Sequence, residues 1–321
     1  MRRFGIIGTG LMARFRANAL RTMEKVTLAA VFSRTEERAS RFAKDYEIDV
    51  VVTDLDEISK LDLDAVLVET PNITHHRYII WALTHGLNVF TEGPLCVTVP
   101  EAEEIIRLAK KSGKIVEVGF DYRYNAVIDK AKEILDAGKI GDPIIAYSTA
   151  MIPMWKRHNS WYYSEELSGG MPLAHMSYGF INVFRWLLGN PITVYAQANK
   201  KVYTEKEKVK EETCTAILKW PNSALASISA SYAAPKAFPR ERPKIICTQG
   251  GLVLGNNELV VHQGSGITKI KPPRSSSLLE TFVKCIETRT EGRNPPSDAI
   301  IDVKIATSIS ESCKTGNPIS I

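Results

Sequence analysis

The chain has 321 residues, which exceeds one ordinary hydrophobic core and suits two domains. With 44% hydrophobic and 24% charged residues and no run of about eighteen apolar residues, it reads as a globular chain without a membrane span. The net charge of +5 is spread along the chain, which argues against nucleic acid as a partner. The five cysteines are dispersed without CxxC spacing, so no metal site is expected and a reducing, cytoplasmic location is. The start Met1–Ile7 has too short an apolar run for a signal peptide.

The first ~120 residues alternate strand and helix. Strands are predicted at Phe4–Ile7, Thr27–Phe32, Val50–Val52, Ala65–Glu69, Asn88–Phe90 and Ile115–Val118. Helices are predicted at Leu11–Met23, Glu36–Tyr46, Ile73–Leu83 and Pro100–Lys111, the last closed by Gly113. This order implies a doubly wound parallel sheet covered on both faces, a Rossmann-type α/β domain over 1–120. Residues 121–321 read as a second α/β domain with a large, mostly antiparallel open sheet. Its helices are Tyr124–Ala137, Leu173–Leu188, Ser277–Thr290 and Asp298–Cys313. Its strands are Ile144–Thr149, Thr193–Ala198, Thr213–Trp220, Ala224–Tyr232, Lys244–Cys247 and Leu259–Val261. Gly250-Gly251 reads as a turn between strands, and Lys201–Glu212 as a charged loop.

The chemistry begins at Gly8-Thr9-Gly10-Leu11-Met12-Ala13, a GxGxxA turn that follows a strand and opens a helix. Gly8 permits the tight turn, Gly10 lets backbone approach a pyrophosphate, and free N–H groups at the helix start receive the anion. The tip of the second strand selects the cofactor. A carboxylate there would bind the ribose 2′-OH of NAD; this chain has Ser33-Arg34-Thr35, with Arg38 one turn on. Ser33 can bond a phosphate oxygen, and Arg34 can stack on adenine or pair with a 2′-phosphate, which favours NADP over NAD.

From Glu69-Thr70-Pro71-Asn72-Ile73-Thr74-His75 through Gly86–Leu95, and again at Gly169–Leu173, Arg185–Gly189 and Ser312–Pro318, the sequence resembles the Gfo/Idh/MocA oxidoreductases (glucose–fructose oxidoreductase and inositol dehydrogenase). The resemblance implies a Rossmann domain and a C-terminal α/β domain whose open sheet face forms a homodimer or homotetramer interface. It implies hydride transfer between NAD(P) and a small sugar-like, polyol, carbonyl or imine substrate. It places Thr70, Pro71, Asn72, His75, Glu92, Gly93 and Pro94 beside the cofactor.

The chain departs from the family at three chemical positions. Gly93 stands where the family keeps a lysine, His175 where it keeps an aspartate, and Gly179 where it keeps a histidine. A following aspartate aligns with Asn182. Hydride transfer at an alcohol carbon also moves a proton, which neither glycine can carry. His175 titrates in the working range and would share a helix face with Tyr178, so His175 is the expected proton donor and Tyr178 a second hydrogen-bond donor. Tyr122 and Arg123, together with Trp155 and Trp161 in a segment mixing cations and rings, are expected to meet the substrate, with an acidic or aromatic group suiting the last two. The alternative reading is a cofactor-binding sensor or regulator without turnover.

Overall fold

The computed structural model describes residues 1–153, 161, 164–170, 177–202, 211–235 and 241–321, with backbone alone at 153, 177 and 178. Contacts gather the chain into two units, Met1–Gly119 with Leu278–Ile300, and Phe120–Ser277 with Ile301–Ile321. Against a single division at 120/121, the first break falls one residue earlier and residues 278–300 return to the first unit.

In the first unit, β1 (Arg2–Ile7), β2 (Val26–Phe32), β3 (Val50–Val52), β4 (Ala65–Val68), β5 (Asn88–Glu92) and β6 (Val116–Gly119) pair in parallel in the order β3-β2-β1-β4-β5-β6. Every residue of β4 and β6 is buried, as in strands covered on both faces. The connecting helices are α1 (Leu11–Leu20), α2 (Glu36–Tyr46), α3 (Leu55–Ile58), α4 (His75–Thr84) and α5 (Val99–Ser112). Local chemistry fixes α5 at both ends. The Thr98 hydroxyl accepts from the Glu101 amide, the Glu101 carboxylate accepts from the Thr98 amide, and Gly113 closes the helix at φ 64°.

The second unit holds α6 (Ala126–Asp136), α7 (Glu165–Ser168), a π-helical turn (Ser177–Ile181) and α8 (Asn182–Leu188). Its sheet comprises β7 (Pro143–Pro153), β8 (Thr193–Asn199), β9 (Thr213–Lys219), β10 (Leu225–Ala234), β11 (Lys244–Cys247), β12 (Gly250–Leu254), β13 (Leu259–Gln263), β14 (Gly266–Ile270) and β15 (Ile319–Ser320). The strand order is β14-β13-β12-β11-β7-β10-β9-β8-β15, antiparallel except for β7 beside β10. Buried and exposed residues alternate along β9, so this sheet buries one face. Its core includes Trp220, whose indole N–H donates to the Gly189 carbonyl at 2.7 Å. Tyr195, Ile217, Leu225 and Ile246 are exposed, and they fall at the positions alternating with the buried residues of their strands.

After this sheet, α9 (Leu278–Thr288) returns to the first unit, and α10 (Pro296–Thr315) follows. No helix among the described residues is long and apolar enough to cross a membrane. Most predicted elements differ from the structure only at their ends. Two expectations need correction. Gly250 and Gly251 lie in β12, and the turn falls at Thr248-Gln249; a Cβ at Gly250 would stand 2.4 Å from the His262 carbonyl oxygen, so that glycine serves close strand approach. The helix expected over Leu173–Leu188 is a π-helical turn at 177–181 followed by α8, with residues 171–176 outside the described residues. The Lys201–Glu212 loop lies largely outside them as well; at its ends the buried Glu212 carboxylate accepts from the Lys201 and Val202 amides.

Phe282 of α9 is fully buried, with its ring 5.9 Å from that of Phe4 and 5.8 Å from that of Phe90. Phe282→Ala is expected to cost about 3–5 kcal/mol of stability. Urea denaturation of the full chain checks this; a loss below about 1 kcal/mol would mean that α9 is not part of the first unit's core.

Candidate active site

Gly8 leaves β1 with φ 111°, and its amide donates to the Phe32 carbonyl at 2.9 Å. A Cβ there would sit 2.3 Å from the Glu69 carbonyl oxygen, so the close pass of the ends of β1 and β4 excludes any side chain. Gly10 is different. It precedes α1 with φ −76°, which any residue adopts, and its missing Cβ would meet nothing within 4 Å among the described residues beyond its chain neighbours. The amino end of α1 has no side-chain cap, and Leu11 beside it is 72% exposed. Thr9 and Met12 are half-buried, while Ala13 is buried where α1 meets the sheet. The turn therefore needs glycine at 8 for its own sake. At 10, the protein itself imposes no such need.

At the tip of β2, Ser33 is buried and its amide donates to the Val52 carbonyl at 3.3 Å. Arg34, just before α2, and Arg38, in its first turn, are exposed. Past β4, Thr70 and Pro71 are half-buried and Asn72 is buried. The Thr74 hydroxyl, 2.7 Å from the Pro71 carbonyl and 2.8 Å from the Thr70 hydroxyl, ties this loop. Past β5, the Gly93–Pro94 peptide is cis, and the Gly93 amide donates to the Gly119 carbonyl at 3.1 Å. His75 links the two loops. Its Nδ1 lies 2.7 Å from the Pro94 carbonyl oxygen and its Nε2 2.9 Å from that of Thr70.

A buried ion cluster lies under the same loops. Arg16, on the inward face of α1, meets Glu92 at 2.7 Å and Glu69 at 4.0 Å, with its guanidinium carbon 5.4 Å from the Phe15 ring centre and 5.1 Å from that of Phe90. Neither Arg16 nor Glu69 is among the site residues expected from the sequence. A signal was present: Arg16 falls in the buried stripe Ala13, Arg16, Ala17, Leu20, at helical spacing, where a cation is out of place without a partner.

In the second unit, the π-helical turn carries Tyr178 and Gly179. Single π turns inside helices are frequent at functional sites. Among the described residues, the missing Cβ of Gly179 would meet nothing within 4 Å beyond its chain neighbours and its own helix turn. Tyr122 is 47% exposed, with its ring 6.0 Å from that of Phe180. Arg123 is not exposed beside it. It is buried, donating from Nε to the Asn182 amide oxygen at 2.6 Å and lying 5.2 Å from the Trp186 ring centre. Asn182 in turn donates to Asp302 at 2.6 Å, and Asp302 pairs with Arg185 at 2.8 Å. All four are nearly inaccessible, so Arg123 and Asn182 brace the start of α8 from within. Burial pushes the Asp302 carboxyl up, while Arg185 and Arg123 pull it down. Trp161 is half-buried, and its carbonyl accepts from the Ser164 amide at 3.1 Å. Trp155 and His175 lie outside the described residues.

A neutral His75 ring has one N–H and can serve one carbonyl; only the doubly protonated ring could serve both. Burial nevertheless holds its pKa below the ordinary 6.5, against the pull of the two carbonyls. The unfolded chain takes up a proton near 6.5 that the folded chain resists. The stability contributed is therefore present above that pH and falls as pH drops through it. Denaturation midpoints measured from pH 7.5 to 5 should fall more steeply for the parent than for His75→Gln. Parallel curves would contradict a buried neutral ring.

Two family models match the chain. One, described as an oxidoreductase family with an NAD-binding Rossmann fold, covers residues 2–120; the other, the GFO/IDH/MocA C-terminal domain, covers 128–253. An uncharacterized oxidoreductase of Bacillus subtilis, YrbE, is 25% identical over 99% of this chain and 96% of its own length. Inositol 2-dehydrogenase 3 of Saccharopolyspora erythraea is 31% identical over 64% of this chain and 58% of its own. Levoglucosan dehydrogenase, solved with NADH and levoglucosan, shares the fold with a TM-score of 0.90 at 20% identity, covering 100% of this chain and 99% of that one.

Proposed function

The chain belongs to the Gfo/Idh/MocA family of NAD-binding oxidoreductases, and on that premise we propose that it is an NADP-dependent enzyme. It transfers hydride between nicotinamide and a small sugar-like, polyol, carbonyl or imine substrate. The carrying observation is the amino end of α1. It is uncapped by any side chain and preceded by Gly10, whose missing Cβ leaves open space that a diphosphate fits. Leu11 and Met12 would offer their amides to that anion, and Thr9 completes the turn. Thr70, Pro71, Asn72, Glu92, Gly93 and Pro94 would line the other end of the cofactor, and His75 would hold their loops together.

The preference for NADP rests on the tip of β2. Ser33 is followed by two exposed guanidinium groups, Arg34 and Arg38, and no carboxylate lies among residues 32–35 to hydrogen-bond a ribose diol. Arg34 would pair with the 2′-phosphate. When bound, nicotinamide supplies or accepts the hydride. His175 gives or takes the proton of the reacting oxygen or nitrogen, and Tyr178 donates a second hydrogen bond to it. Tyr122, Trp155 and Trp161 contact the substrate, whereas the burial of Arg123 assigns it to bracing α8. The dehydrogenase names of relatives support turnover over a binding-only regulator. The exposed positions at Tyr195, Ile217, Leu225 and Ile246 support association into a homodimer or homotetramer.

Titration calorimetry should give tighter binding of NADPH than of NADH. Arg34→Ala should weaken NADPH roughly ten- to a hundredfold and leave NADH unchanged. Equal affinities, or an Arg34→Ala variant that loses both nucleotides alike, would refute the NADP assignment. NADPH oxidation across aldoses, keto acids and cyclic imines, with NADP-linked oxidation of polyols, should reveal turnover that His175→Ala loses while keeping NADPH affinity. Full activity in His175→Ala would remove it as the proton donor.

A further inference from the structure

The strand order of the first unit reverses direction at β1/β4. In a doubly wound sheet the ligand lies across the carboxyl ends of the strands at this switch point, with one half over each set of strands. Ser33, at the tip of β2, marks the adenosine half. Glu69 follows the last residue of β4, and Glu92 is the last residue of β5, so both lie under the opposite half. Arg16 reaches these two carboxylates from α1, about 8 Å along the helix from Leu11. One helix thus presents its amino end to the diphosphate and a guanidinium to the far side.

Accessibility sorts the three charged groups. The side chains of Arg16 and Glu69 are 2% and 0% exposed, whereas Glu92 keeps 23%. Arg16 cannot touch a ligand; Glu92 can. The guanidinium is held near the rings of Phe15 and Phe90, a setting that suits its planar, permanently charged fork better than an ammonium. We propose that Arg16 is a positioning residue for the nicotinamide half of the cofactor. It fixes the Glu92 carboxylate, and with it the turn 92–94, in the orientation that half requires. The inference rests on the cofactor reading above and adds a residue to it.

The test separates the two halves of the ligand. Affinities of the full chain are measured for NADPH and for 2′,5′-ADP, its adenosine-side fragment; should NADH be the tighter ligand, the pair is NADH and ADP. The proteins are the parent, Arg16→Lys, Arg16→Met, Glu92→Gln and the double variant Arg16→Met/Glu92→Gln. Arg16→Met and Glu92→Gln should each weaken the dinucleotide about tenfold and leave the fragment within about twofold. Because Arg16 acts through Glu92, the double variant should bind no more weakly than Glu92→Gln alone. Arg16→Lys should recover part of the loss. Equal losses for dinucleotide and fragment, or additive losses in the double variant, would reduce Arg16 to a structural brace and overturn the proposal. If Arg16→Met fails to fold, Glu92→Gln and Arg16→Lys carry the same test, and unchanged dinucleotide affinity in both overturns it. A parent that binds neither dinucleotide would refute the cofactor reading itself, a distinguishable result.

Discussion

The first unit depends on how closely the ends of β1 and β4 pass. At Gly8 the Glu69 carbonyl occupies the space a side chain would need, and the backbone takes a positive φ that L residues rarely adopt. The chain turns sharply there, so α1 begins at once and its first amides face outward without a cap. Along α1, Ala13, Arg16, Ala17 and Leu20 face inward, while Leu11 and Phe15 are exposed. One helix thus carries both an uncapped amino end and a buried cation set against two carboxylates.

Each unit contains a buried polar bracket tied to a helix that carries candidate chemistry. In the first, Arg16 joins α1 to the ends of β4 and β5. In the second, Arg123 and Asp302 hold Asn182, the residue directly after the π-helical turn, and Arg185 pairs with Asp302. Buried ions cost desolvation and are a weak source of stability, but removing one partner leaves a charge stranded. They serve to fix orientation. Position 182 shows how alignment alone can mislead: an amide there faces inward and bridges Arg123 to Asp302, with no access to a substrate.

Much of the fold was legible because its signals are local. The parallel strands announce themselves as short apolar runs, and α5 carries its own cap, proline and closing glycine. The strand at Gly250–Leu254 was hidden because two glycines read as a turn, whereas their purpose is close approach to β13 and β11, which only pairing reveals. The glycine turn and the β2 tip were legible for the same reason as the strands, each being a short contiguous motif. The Arg16 cluster was not, because its members lie 53 and 76 residues apart. Only the folded sheet brings the middle of α1 to the ends of β4 and β5. The burial of Arg123 was equally out of reach, since Asn182 and Asp302 come from distant helices.

If the space above Gly10 belongs to a dinucleotide and not to the protein's own packing, a side chain there blocks the ligand and spares the fold. Gly10→Val, titrated calorimetrically with NADPH and NADH beside a thermal melt, should keep the parental melting temperature and lose binding of both nucleotides. A variant that melts normally and still binds either nucleotide with parental affinity would show that the diphosphate lies elsewhere.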